Sequence, residues 1–487
     1  MNIGETLMGI ELSDNIRGVD LLCSLPNVDD QRIGATGASG GGNQTMWLTA
    51  MDERVKAAVP VVSVGTFESY IMGTPCICEV LPGGLNLTEE SAILALIAPR
   101  AIKMCNHHKD ENKAFFPGEM PRSYQNARPV FLMYGVEDNI TYRLFDLPHG
   151  YNREDREAML GWFDLHLKGI GTGDPKKEFP FEVLPKENLM VYGKGERRSE
   201  IVTTEAYCKA RGNELRIAFL GTNTFDTDQK KRDLRWILGL NEKSELTEVH
   251  QYSDIDGWER FALETSDYKL IPVLLRKPSG NSREFVIVCN PDGKGKIPSD
   301  QLKELTKSGR GIALVDLSGN GEAGSALASS QDCEGNPRTL SRSLLWFDKT
   351  VLGEWIKELQ TVSQFLTSEF HAQKLTIDGT KEAGLAALFL SATDGNPGNI
   401  VLRDVPISYQ FDNRESVDFF SIGVNLPGFL NWGDISLAAA MSGINITIID
   451  PVTMSGNKIT GDQLKEYQSE FEKLRKVCGQ PGTTVFY

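Results

Sequence analysis

Short apolar runs bounded by turn formers alternate along this chain with longer stretches whose apolar residues recur at helical spacing. That alternation predicts a mainly parallel sheet covered by helices on both faces. Val19 to Leu25 is apolar at helical spacing, Arg32 to Thr36 reads as a short strand, Gly42 to Ala50 as a helix and Val55 to Val62 as a buried strand. Ala101 to Cys105 is another strand, Val130 to Tyr134 opens a helix-or-strand stretch, Arg143 to Leu147 is a strand and Arg153 to Leu167 a helix. Gly171 to Pro180 is rich in turn formers and reads as a connection. After it the pattern restarts. Strands are predicted over Leu270 to Leu275, Phe285 to Cys289, Gly311 to Leu317, Leu375 to Asp378, Ile400 to Leu402 and Ile444 to Ile449. Helices are predicted over Ser299 to Ser308 and Val351 to Leu366, with a helix-like stretch from Gly384 to Ser391.

A chain of 487 residues is expected to form two domains or more, and 40% hydrophobic with 24% charged positions leaves apolar material for two cores. The net charge of −15 argues against a nucleic-acid partner, because a phosphate backbone needs clustered Lys and Arg. Lys230-Lys231-Arg232 reads as a solvated helix face. The opening Met1-Asn2-Ile3-Gly4-Glu5-Thr6 lacks the basic start and apolar run of a signal peptide, and no apolar stretch is long enough for a membrane span. As written, the chain is expected in the cytoplasm, with no membrane partner; an export signal ahead of Met1 would make it periplasmic or secreted. The eight cysteines show no zinc-like pairing, and Cys76 and Cys78 are too close in sequence for an easy disulfide.

The most informative stretch is Gly37-Ala38-Ser39-Gly40-Gly41, lying between a predicted strand and a predicted helix. Small residues on each side of Ser39 let the backbone take the strained turn of a nucleophile elbow, which exposes a hydroxyl and aims helix N-terminal amides at it. A bare flexible turn does not explain the flanking strand and helix. A phosphate cradle would need a Lys-Ser/Thr ending that is missing.

Asp29 to Gln44, followed by Ile97-Ala98-Pro99-Arg100 and by Pro148-His149-Gly150-Tyr151-Asn152, resembles α/β-hydrolases of the acetyl-xylan-esterase and dienelactone-hydrolase-like group. Large bacterial members carry a second, degenerate hydrolase unit, and Phe285 to Pro451 looks like one. The resemblance implies tandem α/β-hydrolase-like doubly wound sheets, the first without its N-terminal strands. Residues 1–180 would be the C-terminal portion of a catalytic domain, 181–200 a linker and 201–487 a second, non-catalytic hydrolase-like domain.

A serine hydroxyl needs a base to take its proton and a carboxylate to hold that base, here in the chain order Ser, acid, His. His149 follows a predicted strand on a loop suited to delivering an imidazole to the strand ends. His166, inside an amphipathic helix, reads as structural. Asp110 follows the strand Ala101 to Cys105, where the family places its carboxylate. Asp138, in the next loop before the histidine, is the second candidate, and Glu79 a third without positional support. His107 and His108 invite a metal reading, but adjacent histidines with no third ligand at recognisable spacing usually face solvent. The resemblance implies hydrolysis of acetyl or methyl esters on a plant-type polysaccharide, with Ser39, Asp110 and His149 catalytic, the Gly40 amide donating to the oxyanion, and neither metal nor organic cofactor required.

Only one helix precedes the elbow, so the loop that normally supplies the second oxyanion donor has no counterpart ahead of Ser39. Either the sequence is a fragment, or another segment replaces the missing strands, for which Phe285 to Gly293 is the candidate. In the second unit the elbow position reads Gly379-Thr380-Lys381-Glu382-Ala383-Gly384, and no histidine follows His371. It therefore cannot supply a Ser-acid-His triad. Gly319-Asn320-Gly321-Glu322-Ala323-Gly324 matches a dinucleotide-binding pattern, but Ser325 to Pro337 has loop composition where that site needs a helix. Two other functions stay open: a catalytically silent hydrolase-like binding module, and a prolyl-oligopeptidase-type peptidase, whose blade-like strand repeats are not seen here.

Overall fold

Val55 to Val61 is buried at every position but Lys56, which is the signature of a strand covered on both faces. In the computed structural model, which describes residues 1–73, 76–193, 199, 201–324, 337–393, 398–412 and 419–487, this run is β2 of a parallel four-stranded sheet. Its order is β1 (Ile33–Ala38), β2 (Val55–Val61), β3 (Ala101–Lys109), β4 (Ile140–Pro148). The helices in chain order are α1 (Leu7–Ser24), α2 (Gly40–Met51), α3 (Phe67–Gly73), α4 (Gly84–Leu87), α5 (Glu90–Ala95), α6 (Glu119–Met133) and α7 (Arg153–Lys168). Period-two alternation sorts the sheet's side chains. Ala57, Val59 and Val61 pack with Ala158 and Trp162 of α7, while Ala58 joins Met46 and Trp47 of α2 and Phe131 of α6 on the other face.

These elements belong to one of two compact units, Glu5–Ile201 with Leu345–Phe347, called here the N-terminal unit. The C-terminal unit comprises Met1–Gly4, Val202–Leu344 and Asp348–Tyr487. Its nine strands are β5 (Leu246–Ile255), β6 (Trp258–Thr265), β7 (Leu270–Arg276), β8 (Glu284–Cys289), β9 (Gly311–Val315), β10 (Lys374–Thr380), β11 (Asn399–Arg403), β12 (Asn445–Ile449) and β13 (Thr484–Phe486). They lie in the order β13-β12-β11-β10-β8-β9-β7-β6-β5, parallel from β13 to β9 and antiparallel through β7, β6 and β5. Phe285 and Ile287 face the core that includes Trp355, Leu359 and Val362 of the helix Val351–Glu369. Val286 and Val288 face Leu305 of the helix Ser299–Lys307.

Several expectations are corrected. Phe285 to Gly293 does not complete the first sheet: β8 is bonded on both sides within its own unit, and β1 pairs with β2 alone among the described residues. Val130 to Tyr134 resolves as the end of α6, which runs through Pro129. β3 continues beyond Cys105 to Lys109 and so takes in both adjacent histidines. The antiparallel hairpin β5–β6 has no counterpart in the hydropathy reading, because β5 is exposed at every position but Leu246 and His250 and shows no alternation. In the glycine-rich stretch, Gly321–Ala323 is a single 3-10 turn; Ser325 to Asn336 lies outside the described residues. Among the described residues, no helix is long and apolar enough to cross a membrane.

Candidate active site

Two glycines in the turn from β1 into α2, Gly37 and Gly42, stand where nothing larger fits. A Cβ on Gly37 would lie 2.6 Å from the Gly41 carbonyl oxygen, and one on Gly42 would collide with Ser63 Oγ. Between them Ser39 holds φ 57° and ψ −125°, a conformation that L residues with a side chain occupy only under strain. Its amide donates to Val61 O at 2.9 Å and its carbonyl accepts from Asn43 N at 3.0 Å, so the turn is fixed from both sides. The Ser39 hydroxyl makes no capping bond to α2. Gly40 opens that helix, and first-turn amides have no intrahelical acceptor, so its N–H is available to an incoming oxygen. An open groove of about 960 Å³ reaches Gly40 and Gly41 along β1, lined by Glu11, Asn15 and Gln44 among others. Cys78 also lines it; burial, with Glu79 beside it, pushes the thiol up to about 12, so it stays protonated and inert.

Asp110 and His149 are brought together. His149 Nδ1 donates to Asp110 Oδ2 at 2.8 Å, with the carboxylate fully buried and the imidazole 39% exposed. The second carboxylate oxygen accepts from Asn112 N at 2.9 Å, which fixes the acid's orientation. The Phe115 ring stacks on the imidazole at 6.4 Å between centroids. Asp110 follows the end of β3 and His149 the end of β4, so parallel pairing delivers both to the same sheet edge, the one where Ser39 follows β1. No hydrogen bond joins Ser39 to His149.

The other candidate acids are placed elsewhere. Asp138 is exposed and precedes β4, whose nine residues separate it from His149 by roughly 25 Å at the usual rise. Glu79 is buried and accepts from Cys76 N at 2.9 Å, capping its own turn. His166 packs on Trp162 with ring centroids 4.0 Å apart, and burial together with nearby Lys103 lowers its pKa.

Of the two adjacent histidines, His108 is exposed and His107 is fully buried. Both His107 nitrogens are taken: Nδ1 lies 2.7 Å from Pro148 O, and Nε2 lies 3.0 and 3.1 Å from the two oxygens of Asp155. It has no nitrogen left for a metal. Among the described residues, one group with metal-ligand character is Glu248, His250 and Glu264 on the exposed β5–β6 hairpin, their ligand atoms within 4.8 Å of one another.

Sequence reasoning also missed a buried polar layer beneath the turn. Val62 follows β2 at φ 43°, and the chain after it is pinned by Asn106 Nδ2 donating to Val64 O at 2.7 Å and by Gly65 N donating to Glu90 Oε2 at 2.9 Å. Tyr70 Oη lies 2.8 Å from Ser63 O and 3.0 Å from Glu90 Oε1. Burial raises the Glu90 carboxyl to about 8.

In the C-terminal unit, Lys381 follows β10 at φ 48°, and a Cβ on Gly379 would lie 2.7 Å from Gly384 Cα. The turn therefore shares with that at Ser39 a positive φ after a strand and a glycine closed against the following helix. The side chain is different, with Nζ 3.4 Å from Phe419 O and 4.3 Å from the centre of the Phe419 ring.

Residues 11–67 match the acetyl xylan esterase (AXE1) family model. The matched segment runs from within α1 through Ser39 to the first residue of α3, and the match supports an esterase function. No curated protein matches the chain. Among solved structures, it is similar to a carbohydrate esterase family 15 glucuronoyl esterase from Caldicellulosiruptor kristjansonii at 20% identity and TM-score 0.31, over 37% of this chain and 56% of that one. It is similar to the glucuronoyl esterase catalytic domain from Hypocrea jecorina at 17% identity and TM-score 0.30, over 37% and 57%. It is also similar to acetyl xylan esterase 1 from a Thermoanaerobacterium species at 14% identity and TM-score 0.35, over 56% and 91%. The chain thus spans little more than half the length of these two glucuronoyl esterases.

Proposed function

We propose that this protein is a serine esterase that hydrolyses acetyl or methyl esters, of the kind carried by plant-type polysaccharides. The observation that carries the reading is the 2.8 Å bond from His149 Nδ1 to the buried Asp110, at the sheet edge where Ser39 sits in a strained turn. Asp110 keeps the proton on Nδ1, which leaves Nε2 as the basic nitrogen. In the reaction Ser39 Oγ bonds to the acyl carbon as its proton passes to His149 Nε2. The Gly40 amide donates to the oxyanion. Collapse of the tetrahedral intermediate breaks the ester C–O bond, and His149 returns the proton to the departing alkoxide. Water, deprotonated by the same imidazole, then attacks the acyl-serine, and its collapse releases the acid and regenerates the hydroxyl. The ester class rests on the acetyl xylan esterase match over residues 11–67.

The test is turnover of p-nitrophenyl acetate and labelling by a fluorophosphonate. Ser39→Ala is expected to abolish labelling and to lower kcat by about 10⁴-fold or more. Labelling that survives Ser39→Ala, or folded wild-type protein with neither turnover nor labelling, would overturn the reading.

A further inference from the structure

We propose that His107 and Asp155 form a buried imidazolium–carboxylate pair whose task is to position His149. The proposal rests on the reading of His149 as the general base.

The proton inventory comes from geometry. Pro148 O is a carbonyl and can only accept, so His107 Nδ1, 2.7 Å away, must carry a hydrogen. Nε2 sits almost equidistant from both Asp155 oxygens, at 3.0 and 3.1 Å, the arrangement of one N–H shared between the oxygens of an ionised carboxylate. Both side chains are 0% exposed, so neither charge is answered by water. With a hydrogen on each ring nitrogen, one facing Pro148 O and the other the Asp155 carboxylate, the ring's positive charge and the carboxylate's negative charge make the pair neutral as a whole, the form in which buried charges are tolerated.

The partners show what the pair holds. His107 lies on β3, three residues before Asp110. Its ring reaches across to Pro148, the residue immediately before His149. Asp155 Oδ2 also accepts from Asn152 N at 2.9 Å, closing the reciprocal cap at the start of α7. Asn152 Nδ2 returns to Pro148 O at 3.3 Å. The segment Pro148 to Asn152 is therefore gripped at both ends by one buried pair, itself seated on the strand that leads into the acid. Without it, the reach between Asp110 and His149 would depend on a short loop whose imidazole is 39% exposed.

The charge state is a vulnerability. Burial alone would push the His107 imidazolium toward losing its proton, but the Asp155 carboxylate, the Pro148 carbonyl and the Asp110 charge outweigh it and hold the pKa above the ordinary value. The other titratable groups near the pair are the Cys105 thiol, pushed up by burial to about 12, and the Tyr151 phenol, also raised by burial, both neutral near pH 7; the Arg156 guanidinium also acts on Asp155, and it is itself paired with Glu178. Once His107 deprotonates, a lone pair faces the carboxylate and the grip on Asn152 and Pro148 loosens.

The experiment uses the full chain with Asp155→Asn, which keeps shape and removes charge, and Asp155→Glu, which restores the carboxylate. Asp155→Asn is expected to lower kcat on p-nitrophenyl acetate about tenfold or more, with KM changed less than about twofold. It should also move the alkaline limb of the pH profile to lower pH and weaken the low-field proton resonance of the His149 Nδ1–H. Asp155→Glu should recover most of the kcat. An Asp155→Asn variant with kcat within about twofold of wild type overturns the proposal, as does a kcat loss that leaves the alkaline limb and the resonance unmoved. Nitrogen spectra of wild-type histidines decide it even if the variants do not fold: His107 carrying two protons at neutral pH is expected, and a neutral tautomer overturns the pair. If wild-type protein turns over no ester, the esterase reading fails, while the nitrogen spectra and the His149 resonance still decide the clamp.

Discussion

Tyr70 has one hydroxyl proton and two oxygens within reach, Ser63 O at 2.8 Å and Glu90 Oε1 at 3.0 Å. A carbonyl cannot donate and the phenol has one proton, so both contacts are full hydrogen bonds when the Glu90 carboxyl is protonated, the phenol giving its proton to Ser63 O and accepting from Glu90. Burial favours the same state, raising Glu90 from 4.5 to about 8. The sign follows from proton counting. Between pH 4.5 and about 8 the folded protein binds a proton that the unfolded chain has released. This contribution to stability is therefore full below 4.5, falls as pH rises through that window and is gone above about 8. Glu90→Gln keeps an acceptor for Gly65 N and a donor for Tyr70 without the titration. Urea unfolding should find wild type and variant similar near pH 5, and the variant more stable near pH 9 by on the order of 3 kcal/mol. A constant difference between them across that range would refute the protonated carboxyl.

At the level of elements, the two strand-to-helix turns show what a sequence discloses. The Ser39 turn is legible because its constraint is local: small residues on each side of one serine, after a strand and before a helix. At Gly37 the obstacle to a Cβ is backbone, the Gly41 carbonyl at 2.6 Å, which cannot step aside as a side chain can. Gly37→Ala is accordingly expected to cost about 1–3 kcal/mol in chemical denaturation and to lower esterase activity as the turn shifts. Unchanged stability in that variant would mean the turn is not close-packed. The buried strands β2, β8 and β9 are legible for a similar reason, since each is apolar along its own length. The β5 strand is not, because an exposed edge strand carries no periodic mark. His107 escaped for a different reason. Whether it or His108 points inward depends on β3 continuing past Cys105, which hydropathy does not show because the added residues Asn106 to Lys109 are polar. The spacing of Asn152 and Asp155 as a helix-capping pair was a usable signal, but its link to His107 exists only across the fold.

On the scale of the whole chain, two units each carry a positive-φ turn between a strand and a helix, and in the proposed reading only the Ser39 turn carries a nucleophile. The C-terminal unit has the larger sheet and a turn at Lys381 with φ 48° against 57° at Ser39, yet it holds a side chain bonded to Phe419 O and has no histidine after His371. A strained turn supplies exposure and amide donors; it does not supply a base. The serine-esterase reading thus makes a stoichiometric prediction. Intact-mass measurement after fluorophosphonate treatment should show a single adduct per chain, and peptide mapping should place it on Ser39. Two adducts, or one in the C-terminal unit, would contradict this division of labour. The sharper form puts a nucleophile on the second turn: Lys381→Ser in a Ser39→Ala background supplies the serine on an intact turn but leaves the base absent. Labelling is expected to stay at background. Labelling of the introduced serine at a rate near that of Ser39 in wild type would show that the turn alone activates its hydroxyl, and that Asp110 and His149 are not what makes Ser39 reactive.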